Sequence, residues 1–349
     1  MIRWLFIILI LSLSIEGMTQ SGSDFVYDFL LTPSTPRETA LGGSLITVAD
    51  EDLGLAHNNP ALLNEKMHNR ILFGHNFHFA DISHGYISYG RQFSSIGINT
   101  HAALKYISYG DFSRADVFGN QDGTFTANEW AMIIGASKAL NERISVGANV
   151  KFLGSQLAGY NSYGAAFDFG AVYTTENNLH IGFSITNAGA ELSTYTETRE
   201  LAPVNIQLGI SKKLAHLPFR FSMILHQLNQ WNLLFDSELN RETDIFGNVL
   251  ESSAFSQEID NFFRHVIFNG ELLLGQAETF RLRFGYNHRI RKELSVTGFR
   301  SLAGFSFGFG VKVSKFRLDY GVGHFHLVGA TNHVGLSFDL DDFFKGPVN

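Results

Sequence analysis

Five residues just past the first third of the chain, Asn120, Asp122, Gly123, Thr126 and Glu129, stand at positions 3, 5, 6, 9 and 12 of a calcium-loop spacing. Such a spacing gathers side-chain oxygens around one hard cation. Phe118 occupies the place of the first carboxylate, however, and Trp130, Met132, Ile134 and Ala136 continue at the period of a strand rather than as the exiting helix. Fourteen histidines also invite a metal or a general base. Among them His75, His78, His84, His101, His265, His324, His326 and His333 show neither H-E-x-x-H nor a comparable ligand spacing. With Ser, Asn and His this abundant, a hydrolase triad drawn from sequence would be an accident of composition. No Gly-rich phosphate loop joins a strand to a helix. We therefore assign no catalytic residue, no metal and no cofactor, and expect a non-enzymatic protein.

The elements that carry these residues are strands. From Asn69 onward the dominant period is two: Phe280, Leu282, Phe284 and Tyr286 alternate with Arg281, Arg283, Gly285 and Asn287, and Phe305, Phe307, Phe309, Val311 and Val313 with Ser306, Gly308, Gly310 and Lys312. About fourteen such runs fit between residues 69 and 340, most of them longer than a soluble strand and long enough to cross a tilted barrel wall. The links alternate in size. Ser94, Asn141-Glu142, Glu176 to Asn178, Ala215 to Leu217, Gln276 to Glu278 and Lys315 are tight, whereas Ser108 to Ala127, Ala188 to Ala202, Leu228 to Asn261 and Ile290 to Ser301 are long. A soluble sandwich gives no reason for that parity; outer-membrane barrels have short periplasmic turns and long outer loops. The expected fold is an all-β, transmembrane antiparallel β-barrel of about 14 strands. Both termini are expected on the periplasmic side and the long loops outside the cell.

Composition agrees. The chain has 349 residues, of which 45% are hydrophobic and only 17% charged, with 33 Phe, 34 Gly, no Cys and a net charge of −7. Missing thiols exclude a disulfide scaffold, and scattered Lys and Arg exclude a nucleic-acid stripe. Mean hydropathy of +0.02 is too low for a bundle of membrane helices. Arg3 followed by Trp4 to Leu11 reads as the basic and apolar parts of a secretory leader over residues 1–22. Residues 23–68 do not alternate like the wall and read as a hatch of turns and short helices. Residues 69–340 are the barrel and 341–349 a periplasmic tail. Inward glycines such as Gly164, Gly170, Gly285, Gly308, Gly321 and Gly335 imply an occupied lumen, and inward charges of both signs, among them Asp168, Glu271, Arg281, Arg283, Arg317 and Asp319, suit mutual pairing or a plug better than an ion-selective pore.

The hatch carries Gly42, Gly43, the acidic triplet Asp50-Glu51-Asp52 and then Asn58, Asn59, Pro60 and Ala61. Pro60 suits a first helical position, and either asparagine can cap the turn it opens or bond to wall groups. This order of leader, Ala-Leu-Gly-Gly, acidic triplet, Asn-Pro-Ala and about fourteen strands resembles the FadL-like outer-membrane barrels. Within them the wording Arg37 to Asp52 with Leu53 to Leu63, supported by Gly123 to Ala127, is similar to the PorQ-like barrels of the type IX secretion system of Bacteroidota. That resemblance covers nearly the whole mature chain and implies an anchor for the surface protein PorZ, in an attachment complex with PorV and the sortase PorU that joins cargo to lipopolysaccharide. The alternative it leaves open is a FadL-like passive channel for hydrophobic small molecules. Besides outer-membrane lipid, a protein partner is expected at the long loops. Leu233, Leu234, Phe235, Ile245, Phe246, Val249, Leu250, Phe255 and Ile259 make the loop from Leu228 to Asn261 too apolar to be free in water, so they either dock a partner or fold over the barrel mouth.

Overall fold

A computed structural model describes residues 25–195, 198–234, 253–295, 301–326 and 329–344. The leader expected over 1–22 lies outside the described residues, as do Phe235, Ile245, Phe246, Val249, Leu250 and the last five residues of the tail.

Alternation along each strand decides the wall. The strands are β1 (Arg70–Phe77), β2 (Ser83–Phe93), β3 (Ile98–Ala115), β4 (Gln121–Ala139), β5 (Ile144–Leu157), β6 (Tyr160–Thr174) and β7 (Leu179–Ser193), followed by β8 (Asn205–Lys213), β9 (Phe219–Leu225), β10 (Val266–Leu274), β11 (Phe280–Asn287), β12 (Phe305–Val313), β13 (Phe316–Gly323) and β14 (Thr331–Asp339). All pair antiparallel with their sequence neighbours, and β14 closes on β1 with Arg70 opposite Asp339. Closure leaves no sheet edge, the condition for strands to cross hydrocarbon. In β11, Phe280, Leu282 and Phe284 stand exposed on the outer face while Arg281 and Arg283 are buried inside. Ile134, Phe152, Phe167 and Phe309 repeat the outward pattern. A belt of exposed aromatic and aliphatic side chains around a polar bore is stable only against lipid, and the protein is a transmembrane β-barrel.

Several boundaries differ from the sequence expectation, β7 among them, which runs on to Ser193 through the start of the loop expected from Ala188. The loop expected from Ser108 to Ala127 is mostly strand: β3 and β4 continue past the wall, pairing through Asp111↔Thr126 and Phe112↔Phe125. β2 stops pairing with β3 at Ser108, and β5 stops with β4 at Ala127, so the far part of the hairpin stands clear of the barrel, paired only with itself. Once two strands are joined, each further pair adds contacts at little entropic cost, and the Phe112 and Phe125 rings stack at 5.2 Å. Conversely, residues 262–265, expected to begin a strand, belong to or follow the helix Ala254–Arg264, which Ser253 caps by accepting the Ser256 N–H. At the other end of the barrel the short helix Asp341–Phe344 packs Phe343 against Phe316 and Phe338.

Before the wall begins, the chain runs down the bore. Phe25 bridges Leu201 in the β7–β8 loop, at the long-loop end, and Asn69 enters β1 at the short-turn end. Leu41, Leu45, Leu55, Ala56 and Leu62 along this path are fully buried.

Candidate functional site

The hatch is built from short turns, each capped by a side chain. Thr35 Oγ1 accepts the Glu38 N–H and Pro36 opens a five-residue helix, Pro36–Ala40. That helix ends at Gly42 and Gly43, whose φ values of 84° and 104° favour glycine. A Cβ at Gly42 would lie 2.7 Å from the Ile267 side chain, so close packing demands glycine there as well. Three 3₁₀ turns follow, Leu53–His57, Pro60–Leu62 and Glu65–Met67, and Asp52, Asn59 and Asn64 cap them in the same way, each accepting the N–H two residues ahead. Asn59 also donates to the Ile46 carbonyl at 2.7 Å. Asn58 differs from the expectation that either asparagine caps. It ends the preceding turn, its backbone N–H bonded to Leu55, and its amide nitrogen is buried with no protein partner.

One wall holds the hatch by charge. The buried Arg37 guanidinium makes four hydrogen bonds, Nε and Nη2 donating to the two Glu271 oxygens at 2.9 and 2.8 Å and Nη1 to Asp50 and Asp52 at 3.0 and 3.1 Å, and Nη2 also lies 2.9 Å from Asp50. Around it Arg220 and Arg283 bind Glu271 at 2.9 and 3.2 Å, Arg283 binds Asp319 at 2.6 Å, and Arg281 and Arg317 share Glu51 at 3.0 and 2.9 Å. The acidic triplet is thus the part of the hatch that meets the arginines of β9, β11 and β13. Burial acts to raise the Asp50 carboxyl, yet Arg37, Arg281 and Arg220 hold it well below the usual carboxylate range. The sequence showed both the triplet and the lumen-facing arginines, but nothing in it joined the two.

The opposite wall holds the hatch by close approach. A Cβ at Gly170 would fall 1.9 Å from Asn59 Oδ1 and one at Gly147 2.6 Å from the Pro60 backbone; the charged wall adds the same device at Gly321, where a Cβ would fall 2.1 Å from the Pro36 carbonyl. Histidines tie the remaining gaps: His84 Nε2 lies 3.0 Å from the Pro33 carbonyl and His333 Nδ1 3.0 Å from Thr39 Oγ1. Ser34 Oγ, His57 Nε2 and Glu38 look like a hydrolase triad, with 2.9 Å between the first pair and 3.5 Å between His57 Nδ1 and Glu38 Oε1. Ser34 is fully buried and His57 Nδ1 lies 2.9 Å from the Gly54 carbonyl, so the group acts as a brace. Burial holds His57 well below its ordinary pKa, and therefore neutral, and pushes the Glu38 carboxyl up to about 8.

On the long-loop side of the hatch a cavity of about 330 Å³ remains open. Its floor is Leu30 to Pro33, Gly42 to Ser44, His57 and Asn58; Lys151, Asn187, Gln207, His226 and Ile267 line the wall, and Arg289, Ile290 and Phe325 the rim. Lys151 is neutralised by Asp168 at 2.9 Å and bonded to Asn187 at 2.6 Å. Asn187 sits at φ 60° in an irregularity of β7, where its own N–H also binds Asp168. The volume is at the lower end of small-molecule sites.

The other sequence candidates are not brought together. Asp122 pairs with Arg114 on the exposed hairpin, while Glu129 accepts the Tyr109 hydroxyl at 2.5 Å. Of the proposed partner-binding residues, Leu233 is buried, its N–H bonded to Asn261, whereas Leu234, Phe255 and Ile259 are exposed.

Known structures share this architecture. The toluene transporter TodX of Pseudomonas putida aligns over 89% of this chain and 99% of its own, at 12% identity and a TM-score of 0.54. The monoaromatic hydrocarbon channel CymD aligns over 88% and 96%, at 12% identity and a TM-score of 0.50. A FadL homologue of Pseudomonas aeruginosa aligns over 88% and 98%, at 10% identity and a TM-score of 0.49. The fold is FadL-like. At these identities the likeness is one of fold. No family model and no curated relative matches the sequence.

Proposed function

We propose that this is an outer-membrane protein that takes up small hydrophobic molecules passively, receiving them from the long-loop end into the cavity above the hatch. The single observation that carries the reading is that cavity, set on the hatch inside a barrel whose fold is shared with TodX and CymD. Leu30, Leu31, Ile267, Ile290 and Phe325 give a ligand an apolar bed, and the polar groups between them orient it. The charged bolt below closes the bore, so release needs the hatch to move or the wall to open. In proteoliposomes, toluene or an acyl chain should enter faster and saturably relative to protein-free vesicles. Uptake equal to that of protein-free vesicles, with no ligand retained by the purified protein, would end this reading.

A second reading has separate support. In it the barrel anchors a PorZ-like surface protein together with PorU-like and PorV-like components of a type IX secretion complex. The β3–β4 hairpin stands beyond the wall, and its tip residues Val117 and Phe118 are 94% and 86% exposed. Such a tip suits insertion into a protein partner. Pulled from solubilised outer membranes, the intact protein should bring a large surface protein with it, and replacing Val117 and Phe118 by Ser should lose it. Recovery of the barrel alone in both cases would dismiss the anchor.

A further inference from the structure

The helix Ala254–Arg264, between β9 and β10, is turned inside out for a surface helix of a soluble protein. Over its last two turns the polar side faces the protein, while Gln257 nearer the start stands exposed. Asn261 accepts the Leu233 N–H at 2.8 Å and donates to the Trp231 carbonyl at 2.7 Å, and Arg264 reaches the Leu233 carbonyl at 3.2 Å. Asp260 is held by Arg264, His288 and Lys292 at 2.9, 3.2 and 3.1 Å. The apolar side faces outward: Phe255, Ile259, Phe262 and Phe263, spaced to share one helical face, are 72, 43, 43 and 39% exposed.

This face is continuous with the lipid-facing wall. Phe263 lies 5.8 Å from the His288 ring, and His288 Nδ1 bonds the Tyr286 hydroxyl at 2.9 Å. Tyr286 packs on Phe305 at 4.9 Å and stands opposite Phe268 in the β10–β11 ladder. By the parity of β11, Tyr286 shares the outer face with Phe284 and Leu282, which lipid covers. Ring contacts therefore run from the wall onto the helix through His288, whose other nitrogen meets Asp260 on the protein-facing side, and aromatic residues with a polar handle are those that settle at a membrane interface.

We infer that the Ala254–Arg264 helix is an interfacial membrane helix, with Phe255, Ile259, Phe262 and Phe263 seated in the outer edge of the lipid layer and its polar side docked on the barrel rim. Water would leave that face exposed for no gain, and the join to the lipid belt favours acyl chains over a protein as its cover.

The chain has no cysteine, so single-cysteine spin labels report cleanly. We would label F255C, I259C and Q257C in the full barrel, with L282C as a lipid-facing reference and V117C as a water-facing one. The proteins would be reconstituted in phosphatidylethanolamine–phosphatidylglycerol vesicles. Collision with oxygen should exceed collision with a water-soluble nickel chelate several-fold at F255C and I259C, as at L282C, while Q257C should resemble V117C. Nickel access at F255C and I259C equal to that at V117C would place the face in water, and shielding from both reagents would place it under protein. Either result overturns the inference.

Discussion

Arg37 and Glu38 are neighbours in one short helix, yet they meet opposite walls, which hold them by different physics. Arg37 faces β10, where Glu271 takes its Nε and Nη2, while Asp50 and Asp52 of the hatch itself take its Nη1. Glu38 faces the side of Lys105 and His57, takes one hydrogen bond from the Ser34 N–H, and leaves Oε1 without a hydrogen bond. One wall is fixed by compensated charge that tolerates no missing member. The other lacks that cluster and relies on the glycine contacts that both walls make, with a carboxyl that favours its neutral form. A hatch held in this way has a strong side and a releasable side, and the releasable side is the one that opens first if the hatch moves at all.

The largest effect is expected on the strong side. Arg37→Ala leaves Asp50, Asp52 and Glu271 facing one another with fewer cations, and breaking a buried pair of this kind costs about 3 to 5 kcal/mol. The barrel should still insert, because its ladder does not involve Arg37, but residues 25–68 should become protease-sensitive and the hatch should lose its contribution to the melting temperature. An unchanged melt and an intact hatch would mean that the arginines of β9, β11 and β13 satisfy the triplet without it.

The releasable side should respond to pH. Burial raises the Glu38 carboxyl from its ordinary 4.5 to about 8, so the folded hatch binds that proton more tightly than the unfolded chain. Its stabilising contribution is complete below the unfolded value and is lost as pH rises through the folded one. Hatch proteolysis should therefore accelerate between about pH 5 and about pH 9, and E38Q should flatten that slope. A slope that E38Q leaves unaltered would assign the pH dependence to other groups. On the same wall, G170A and G147A push a methyl into Asn59 and Pro60 and should cost about 1 to 3 kcal/mol each by overpacking. Gly329 has nothing within 4 Å, and G329A should leave the melt where it was.

Much of the wall was legible because one residue in two had to face lipid. Phe280 to Tyr286 announce β11 by themselves, and the parity of tight and long links orders the hairpins. The β3–β4 overhang was not legible, since Ser108 to Ala127 holds Gly, Asp, Asn and Ser among a few aromatic residues that do not alternate regularly, and so reads as loop. The bolt was not legible for a different reason. Arg37 and Glu271 are 234 residues apart, and no local period links a hatch residue to the strand that receives it. Glycines inside the bore told that something approaches, but only the folded chain tells that Asn59, not Asn58, is what Gly170 admits.

That pair gives the smallest and sharpest prediction, because the two asparagines are adjacent and chemically identical. Asn59→Leu removes a cap from the Ala61 N–H and a bond to the Ile46 carbonyl, both buried, and should destabilise the hatch by about 1 to 3 kcal/mol for the groups left unpaired. Asn58→Leu removes an amide nitrogen that bonds no protein atom, so nothing in the protein is left unpaired and the melt should hardly move. Its effect should instead fall on whatever occupies the cavity, whose floor Asn58 forms. Measured side by side, a large loss of hatch stability in N59L with altered ligand retention in N58L would separate support of the releasable wall from service to the cavity. Equal losses in both variants would show that the two asparagines act as one structural unit, and the cavity would then have no donor reserved for a ligand on its floor.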